Sequence, residues 1–242
     1  MDVKTLVVGP VATNCYILSE GSQCLVIDPG EEGEAILREV QALAPDVVQG
    51  NDPDRGQRQR QSAAHLPLLQ AILLTHAHFD HTGAAGFLQE KTGAPVFVGR
   101  RDEALLREPG WMKQWVSAQT KQPVDIRVLK EGDELRTGET VLKVWETPGH
   151  SPGGLTFVAA AVSGSPTARA AAKRVSRAVR AVFCGDLIFR ERIARTDAPG
   201  GDQDELFRSI ERVLALPGDA RIFPGHGNST TVGYERARNP FS

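Results

Sequence analysis

The sequence predicts an α/β (α+β) protein whose short apolar strands deliver histidine and aspartate side chains to one edge. Three observations carry that reading. Strand-like runs rich in Val, Ile, Leu and Phe recur along the chain, interleaved with three helical patterns. A strand–loop–helix–strand order over 71–99 implies a parallel crossover. Four of the strand-like runs lead into His or Asp.

Taken in order, residues 3–8 (VKTLVV), 15–19 (CYILS) and 24–28 (CLVID) read as a meander of antiparallel strands, with Glu20-Gly21-Ser22 turning the last pair. Residues 33–44 place apolar side chains at 36, 37, 40 and 43, one helical face that stops before Pro45. Residues 45–66 are polar and without periodicity, the pattern of a surface insertion. A buried strand follows at 71–76 (AILLTH), then a helix over about 82–92 closed by Gly93, then a strand at 94–99. Further strands are expected at 140–150, 153–162, 180–189 and 220–227, with an amphipathic helix over 203–216. A second insertion falls near 163–179, where Arg169, Lys173 and Arg177 stand at i, i+4 spacing. The chain's net charge of −2 favours a solvated hairpin extension there over a nucleic-acid patch. The whole of 1–242 is read as one domain carrying these two insertions.

With 40% hydrophobic and 24% charged residues, the composition fits a soluble protein with a sizeable core. The near-neutral balance supplies no global field for nucleic acid or anionic membrane. No run approaches the roughly 18 apolar residues of a membrane helix. The N-terminus lacks a basic segment, and Gly9, Pro10, Thr13 and Asn14 interrupt its apolar stretch, so no signal peptide is expected. Cys15, Cys24 and Cys184 are odd in number and form no CxxC, which predicts a reducing cytoplasm. The expected partner is a small molecule, with neither nucleic acid nor membrane.

The chemistry is concentrated in His76-Ala77-His78-Phe79-Asp80-His81, four potential ligands within six residues after a buried strand. A core does not gather three imidazoles and a carboxylate at a strand end, because each would need its own polar partner. His150, Asp186 and His226 occupy similar settings, each behind an apolar run and directly after a glycine that permits a tight turn. His65 sits in the polar insertion with neither feature and is left out of the site. Five His and two Asp suit two divalent ions about 3.5–4 Å apart sharing a hydroxide and one carboxylate. His76, His78 and His150 would hold the first ion, Asp80, His81 and His226 the second, and Asp186 would bridge. Zinc is the expected metal for such a nitrogen-rich set, with iron or manganese as alternatives.

These residues resemble the metallo-β-lactamase superfamily, whose metal motif reads THxHxDH. Within it the chain looks most like the glyoxalase II-like (hydroxyacylglutathione hydrolase-like) enzymes, on the stretches GPVATNCYIL, VIDPG, TPGHSPGG, GDLIF followed by RTDAPGGD, PGHG and TVGYERARNPF. The resemblance implies a four-layer αββα sandwich, the same ligand partition, and thioester hydrolysis of S-D-lactoylglutathione or related substrates through a metal-bridging hydroxide. Asp80 and Asp186 would orient the water. An aspartate at 186 argues against the antibiotic-degrading β-lactamases, several of which use cysteine there. The chain runs only 16 residues past His226 (226 to 242), so the short subgroup is implied, without the helical domain that supplies basic residues for glutathione. The loop after Asp186 is Ala194-Arg195-Thr196-Asp197-Ala198, losing that family's glycine and aromatic, which predicts a wider or less ordered pocket. The alternative within the fold is a persulfide dioxygenase with one iron on His76, His150 and Asp186; a nuclease or a non-enzymatic metal-binding protein ranks below both. Asp28 and Asp197 are candidates for holding the outer N–H of a ligand imidazole, against plain turn chemistry. Cys184 reads as a small buried hydrophobe rather than a ligand.

Overall fold

The computed structural model describes residues 1–43, 69–117, 120–161 and 179–242. The first insertion, with His65, lies outside the described residues, as do 163–178 of the second, including Arg169, Lys173 and Arg177. Val179, placed in the second insertion by the sequence, is instead the buried first residue of a strand.

The first six strands form one sheet in chain order: β1 (Asp2–Val8), β2 (Thr13–Glu20), β3 (Gln23–Ile27), β4 (Leu69–Leu73), β5 (Val96–Gly99) and β6 (Ile126–Leu129). The β1–β2–β3 meander is antiparallel as expected, and β3 to β6 run parallel, so the crossover between β4 and β5 is present. The next strands are β7 (Glu134–Thr137), β8 (Thr140–Glu146), β9 (Leu155–Ala161), β10 (Val179–Gly185), the short hairpin β11 (Ile188–Phe189) and β12 (Arg192–Ile193), then β13 (Arg221–Pro224) and β14 (Thr230–Thr231). The second sheet has the order β14-β13-β10-β9-β8-β7, with only β10 and β13 parallel.

The sheets pack face to face. Tyr16, Leu18, Leu25, Ile27 and Leu73 of the first meet Leu142, Val144, Phe157, Phe183 and Phe223 of the second. Phe183 stacks on Phe223 at 4.8 Å, and Tyr16 meets Phe183 edge-on at 5.3 Å. The alternate residues Ile17, Val26 and Ile72 face outward and are covered by Ile36 and Val40 of α1 (Gly33–Ala42). Further cover comes from Leu88, beyond the four-residue α2 (Phe79–Thr82), on α3 (Ala85–Thr92), and from Leu106 on α4 (Glu103–Arg107). On the far side, Leu206, Ile210 and Val213 of α5 (Gln203–Leu214) cover Val158, Val182 and Ile222, and Val232 adds α6 (Val232–Arg238). Strands buried on both faces read as continuous apolar runs, which is why CLVI and AIL lack alternation. The layers are helix, sheet, sheet, helix: the αββα sandwich that the resemblance implied.

Several expected strands stop early, and each stop exposes a candidate ligand. β4 ends at Leu73 rather than 76. Thr75 leaves the sheet because its N–H and Oγ1 both donate to Asp28, while its carbonyl accepts from Leu155 N at the start of β9. β8 ends at Glu146, and Thr147 to Gly154 form a turn closed by Thr147 N donating to Gly154 O. The expected strand 180–189 breaks after Gly185, whose φ of +50° no β-branched residue would adopt readily, and a Cβ there would lie 2.1 Å from Thr75 Oγ1. The helix expected at 82–92 starts later, as α3, with the separate turn α2 ahead of it.

Candidate metal centre

The four loops that follow β4, β8, β10 and β13 meet at one edge of the sandwich. His78 precedes α2 in extended backbone, and the single turn of α2 then swings Asp80 and His81 to the same side as His76. His76 lies 4.6 Å from His78, 4.2 Å from His81 and 5.0 Å from His150, ring centre to ring centre; His81 lies 5.3 Å from His226. Donor atoms come within 4.8 Å of one another in three overlapping groups: His76, His78 and His150; His76, His81 and Asp186; Asp80, His81 and His226. All seven expected residues are thus brought together. Gly225 permits it: a Cβ there would sit 2.1 Å from Asp186 Oδ1 and 2.7 Å from His81 Cε1.

Asp186 stands between the groups. Its Oδ1 is 3.5 Å from His81 Nε2, and its Oδ2 is 3.6 Å from His150 Nε2 and 3.5 Å from His226 Nε2. Asp80 Oδ2 lies 3.4 Å from His81 Nε2 and 3.2 Å from His226 Nε2, and accepts from Thr13 Oγ1 at 3.1 Å. Four buried atoms here, His76 Nε2, His81 Nε2, His150 Nε2 and Asp186 Oδ1, have no hydrogen-bond partner. Burying unpaired polar atoms is costly, and cations held by the overlapping groups would give each of the four a partner. The nitrogen-rich donor set fits borderline divalent ions. These are metal-binding His/Asp clusters.

The imidazoles are held from behind. Asp28 is buried in the turn after β3, pairs with His81 Nδ1 at 3.0 Å, and also fixes Thr75. Thr75 Oγ1 lies 3.0 Å from His76 Nδ1. His150 Nδ1 donates to the Arg195 carbonyl at 2.7 Å, and His226 Nδ1 lies 3.3 Å from the Ala12 carbonyl. Such contacts fix the tautomer that leaves Nε2 free for a metal. Asp197 does not join them, contrary to one of the two sequence expectations: it is exposed and forms a two-pronged pair with Arg195, while the neighbouring backbone holds His150. Cys184 stays out of all three groups; its Sγ is buried 3.6 Å from the Ile188 carbonyl, and burial pushes its pKa up to about 12.

Asp102 was missed. It is buried, and its two oxygens accept from Ala77 N at 3.0 Å and Gly153 N at 2.6 Å, tying the His76–His81 loop to the loop of His150. Standing just before α4, it reads in sequence as an ordinary helix cap, yet it makes no capping bond. Asn14 Nδ2 and the Tyr16 hydroxyl likewise go unread; both donate to the Pro224 carbonyl and hold the PGHG turn.

Electrostatically the groups differ. Burial, then the facing His81 and His78, push His76 well below its ordinary pKa; burial and His150 bring His78 down to about 4. Burial opposes protonation of His81 too, but Asp186, Asp80 and Asp28 outweigh it and raise its pKa. The same contest, won by Asp186 and Asp80, lifts His226 to about 10. Burial disfavours the ionised forms of Asp80 and Asp186, yet His81 and His226 hold both below the usual carboxylate range.

The cleft has unlike walls. Trp111 sits edge-on to His78 at 5.7 Å and Trp115 stacks on Phe79 at 5.9 Å. Opposite, a cavity of about 310 Å³ opens onto His150, Asp186 and His226, bordered by Phe189, Arg192, Ile193 and Arg195.

The profile of the metallo-beta-lactamase superfamily matches residues 8–161, and the chain belongs to that family. Among curated proteins it is 34% identical to a probable metallo-hydrolase, YqgX, of Bacillus subtilis, covering 100% of this chain and 97% of that one. It is 26% identical to hydroxyacylglutathione hydrolase GloC of Haemophilus influenzae, covering 100% and 98%. Among solved structures it is similar to the BLEG-1 B3 metallo-beta-lactamase, with TM-score 0.74, 28% identity and 99% of each chain covered. It is also similar to TTHA1623 in a di-iron-bound form, with TM-score 0.70, 34% identity, and 99% and 100% covered. Fold, clusters and relatives together define a probable metal-dependent hydrolase. No helix among the described residues is long and apolar enough to cross a membrane.

Proposed function

We propose that this chain hydrolyses thioesters of the S-D-lactoylglutathione kind with water, at a site whose residues would hold two divalent ions. The observation that carries the reading is Asp186, one carboxylate facing His150 on one side and His81 and His226 on the other. In this reading His76, His78 and His150 would hold one ion, Asp80, His81 and His226 would hold the other, and Asp186 would serve both. Bound there, such a pair supplies Lewis acidity at the substrate carbonyl and water acidic enough to attack near neutral pH.

The chain's own residues do the positioning. Asp80, fixed by Thr13, and Asp186 accept hydrogen bonds from the attacking water and aim its lone pair. Asp28 and the Arg195 carbonyl keep the rings of His81 and His150 from rotating. Trp111 shields the His78 side from solvent. The likeness to GloC supports the thioester class, and the donor set supports zinc, with iron the alternative on the likeness to di-iron TTHA1623. Three buried free thiols support action in a reducing cytoplasm. β-Lactam hydrolysis is a second reading, favoured by the likeness to BLEG-1.

The test is a panel on zinc- and iron-loaded protein: S-D-lactoylglutathione, a chromogenic cephalosporin, and oxygen uptake with a persulfide. Thioester turnover should track metal content and fall by roughly 10²-fold in His226→Ala, the scale for removing a main electrostatic stabiliser. Cephalosporin turnover without thioester turnover would replace the reading. Oxygen uptake undiminished in His226→Ala would move it to a mononuclear iron dioxygenase.

A further inference from the structure

The charged side chains beside the 310 Å³ cavity sort themselves by partner. Arg190 lies over the Tyr234 ring at 4.7 Å and donates to its hydroxyl, and the same hydroxyl donates to Glu191. Arg195 is neutralised by the two-pronged pair with Asp197. Arg192 is different. Among the described residues no carboxylate pairs with it, and its guanidinium sits 6.0 Å from the Phe189 ring, on the wall of the cavity that also touches His150, Asp186 and His226. Phe189 in turn lies 6.3 Å from His226, so an aromatic face runs from the metal centre to this cation.

The hairpin that carries Arg192 is held firmly. Asn239 Nδ2 donates to the carbonyls of Phe189 and Arg192, and the buried Glu235 accepts from Glu191 N at 2.9 Å. Glu235 is itself fixed by Thr230 Oγ1 and Asn239 Nδ2. A cation on an anchored hairpin forfeits less entropy on meeting an anion than one on a loose loop.

We propose that Arg192 is a specificity-determining residue that binds an oxyanion of the substrate, so that the preferred thioesters carry a carboxylate or phosphate. The substrate lies along Phe189, with its anionic group on the Arg192 guanidinium and its thioester carbonyl carbon facing the water that Asp186 orients. Catalysis in this picture rests on the thioester reading; recognition of the anion does not, and can be measured alone.

Two measurements test it. In the first, kcat/KM is compared between Arg192→Ala and the parent for four thioesters: S-D-lactoylglutathione (carboxylates on the thiol), S-succinyl-N-acetylcysteamine (carboxylate on the acyl group), acetyl-coenzyme A (phosphates on the thiol), and neutral S-acetyl-N-acetylcysteamine. The preference for whichever anionic substrate is recognised should fall about tenfold relative to the neutral one, through KM, as expected for a charge-assisted contact. Arg192→Lys should keep part of it, and the parent's preference should shrink with added salt. In the second, calorimetry follows binding of S-methylglutathione, which cannot be hydrolysed. Its affinity should drop by a similar factor in Arg192→Ala, with metal content unchanged. Equal losses for anionic and neutral substrates overturn the proposal, as does a parent that neither prefers any anionic thioester nor binds S-methylglutathione; where S-D-lactoylglutathione is the preferred substrate, S-methylglutathione binding unaltered in the variant overturns it too. If the parent hydrolyses no thioester while S-methylglutathione binding still depends on Arg192, the catalytic reading falls and the anion site stands.

Discussion

The two outer ligand groups of the three in this centre have similar chemistry but opposite electrostatic settings. His76, His78 and His150 form an all-imidazole set, and the first two are held neutral by burial and by one another. Asp80, His81 and His226 include a carboxylate, and the two imidazoles, His81 with Asp28 behind it, hold protons tightly when no cation is there to replace them. His76 and His78 offer lone pairs ready for an ion; His81 and His226 must exchange protons for one. Electrostatic setting, beyond the identity of the donors, is therefore expected to set how metal uptake at each group depends on pH. Only Asp186 belongs to both settings.

That places the largest expected effect at Asp186. Replacing it by Ala removes the one carboxylate facing both groups and leaves two ions poorly neutralised. Hydrolysis should fall by roughly 10³-fold or more, and elemental analysis should drop from near two equivalents towards one or fewer. A variant that keeps two ions and most of its activity would show the groups to be independent.

The pH dependence of metal uptake sharpens the contrast next. His81 and His226 have folded pKa values raised above the ordinary one, His226 to about 10, so both are protonated in the metal-free protein at neutral pH. An ion entering that group must displace those protons, so its affinity rises with pH until they are gone, by up to about 100-fold per unit for two protons. His78, with its pKa near about 4, and His76, also lowered, have none to lose at neutral pH. Zinc titrations between about pH 6 and 9 in a non-coordinating buffer should therefore show two equivalents, one weakening on acidification more steeply than the other. Two equivalents with the same slope would erase the distinction.

A smaller effect is expected behind the ligands. Asp28→Asn keeps the shape of the turn but removes the charge that orients His81 and supports its basicity. Affinity for the second ion should fall by about 10–100-fold, with the first nearly untouched. Equal weakening of both would mean that Asp28 acts through Thr75 and His76 instead.

Much of this was legible in the sequence, and for local reasons. The antiparallel meander, the crossover and α5 announce themselves through apolar runs, glycine turns and helical periodicity that each lie within a dozen or so residues. All seven clustered residues were visible because each follows an apolar run that ends in a tight turn. β6 and β7 were not, since four residues with half-exposed faces carry little pattern and owe their strand state to partners elsewhere in the sheets. α2 is a single turn, too short for any period. Asp102 was invisible for a different reason: its partners, Ala77 and Gly153, lie 25 and 51 residues away, and nothing near it in sequence reports them.

Asp197 is the converse case and the smallest expected effect. Its carboxylate made it a candidate for holding the outer N–H of a ligand imidazole, but the group that holds His150 is the carbonyl of Arg195, two residues away. The fold instead sends its side chain outward onto the Arg195 guanidinium, leaving the carbonyl contact to the backbone. An exposed pair of this kind contributes little to stability and nothing to the tautomer of His150. Asp197→Ala should therefore leave both metal equivalents and the melting temperature unchanged. Freeing Arg195 should, if anything, make the neighbouring cavity more attractive to anionic thioesters, seen as a modestly lower KM at low salt. Loss of the ion at His76, His78 and His150 in that variant would restore Asp197 to the role the sequence suggested, and would mean that the Arg195 carbonyl keeps its place only while the guanidinium is tethered.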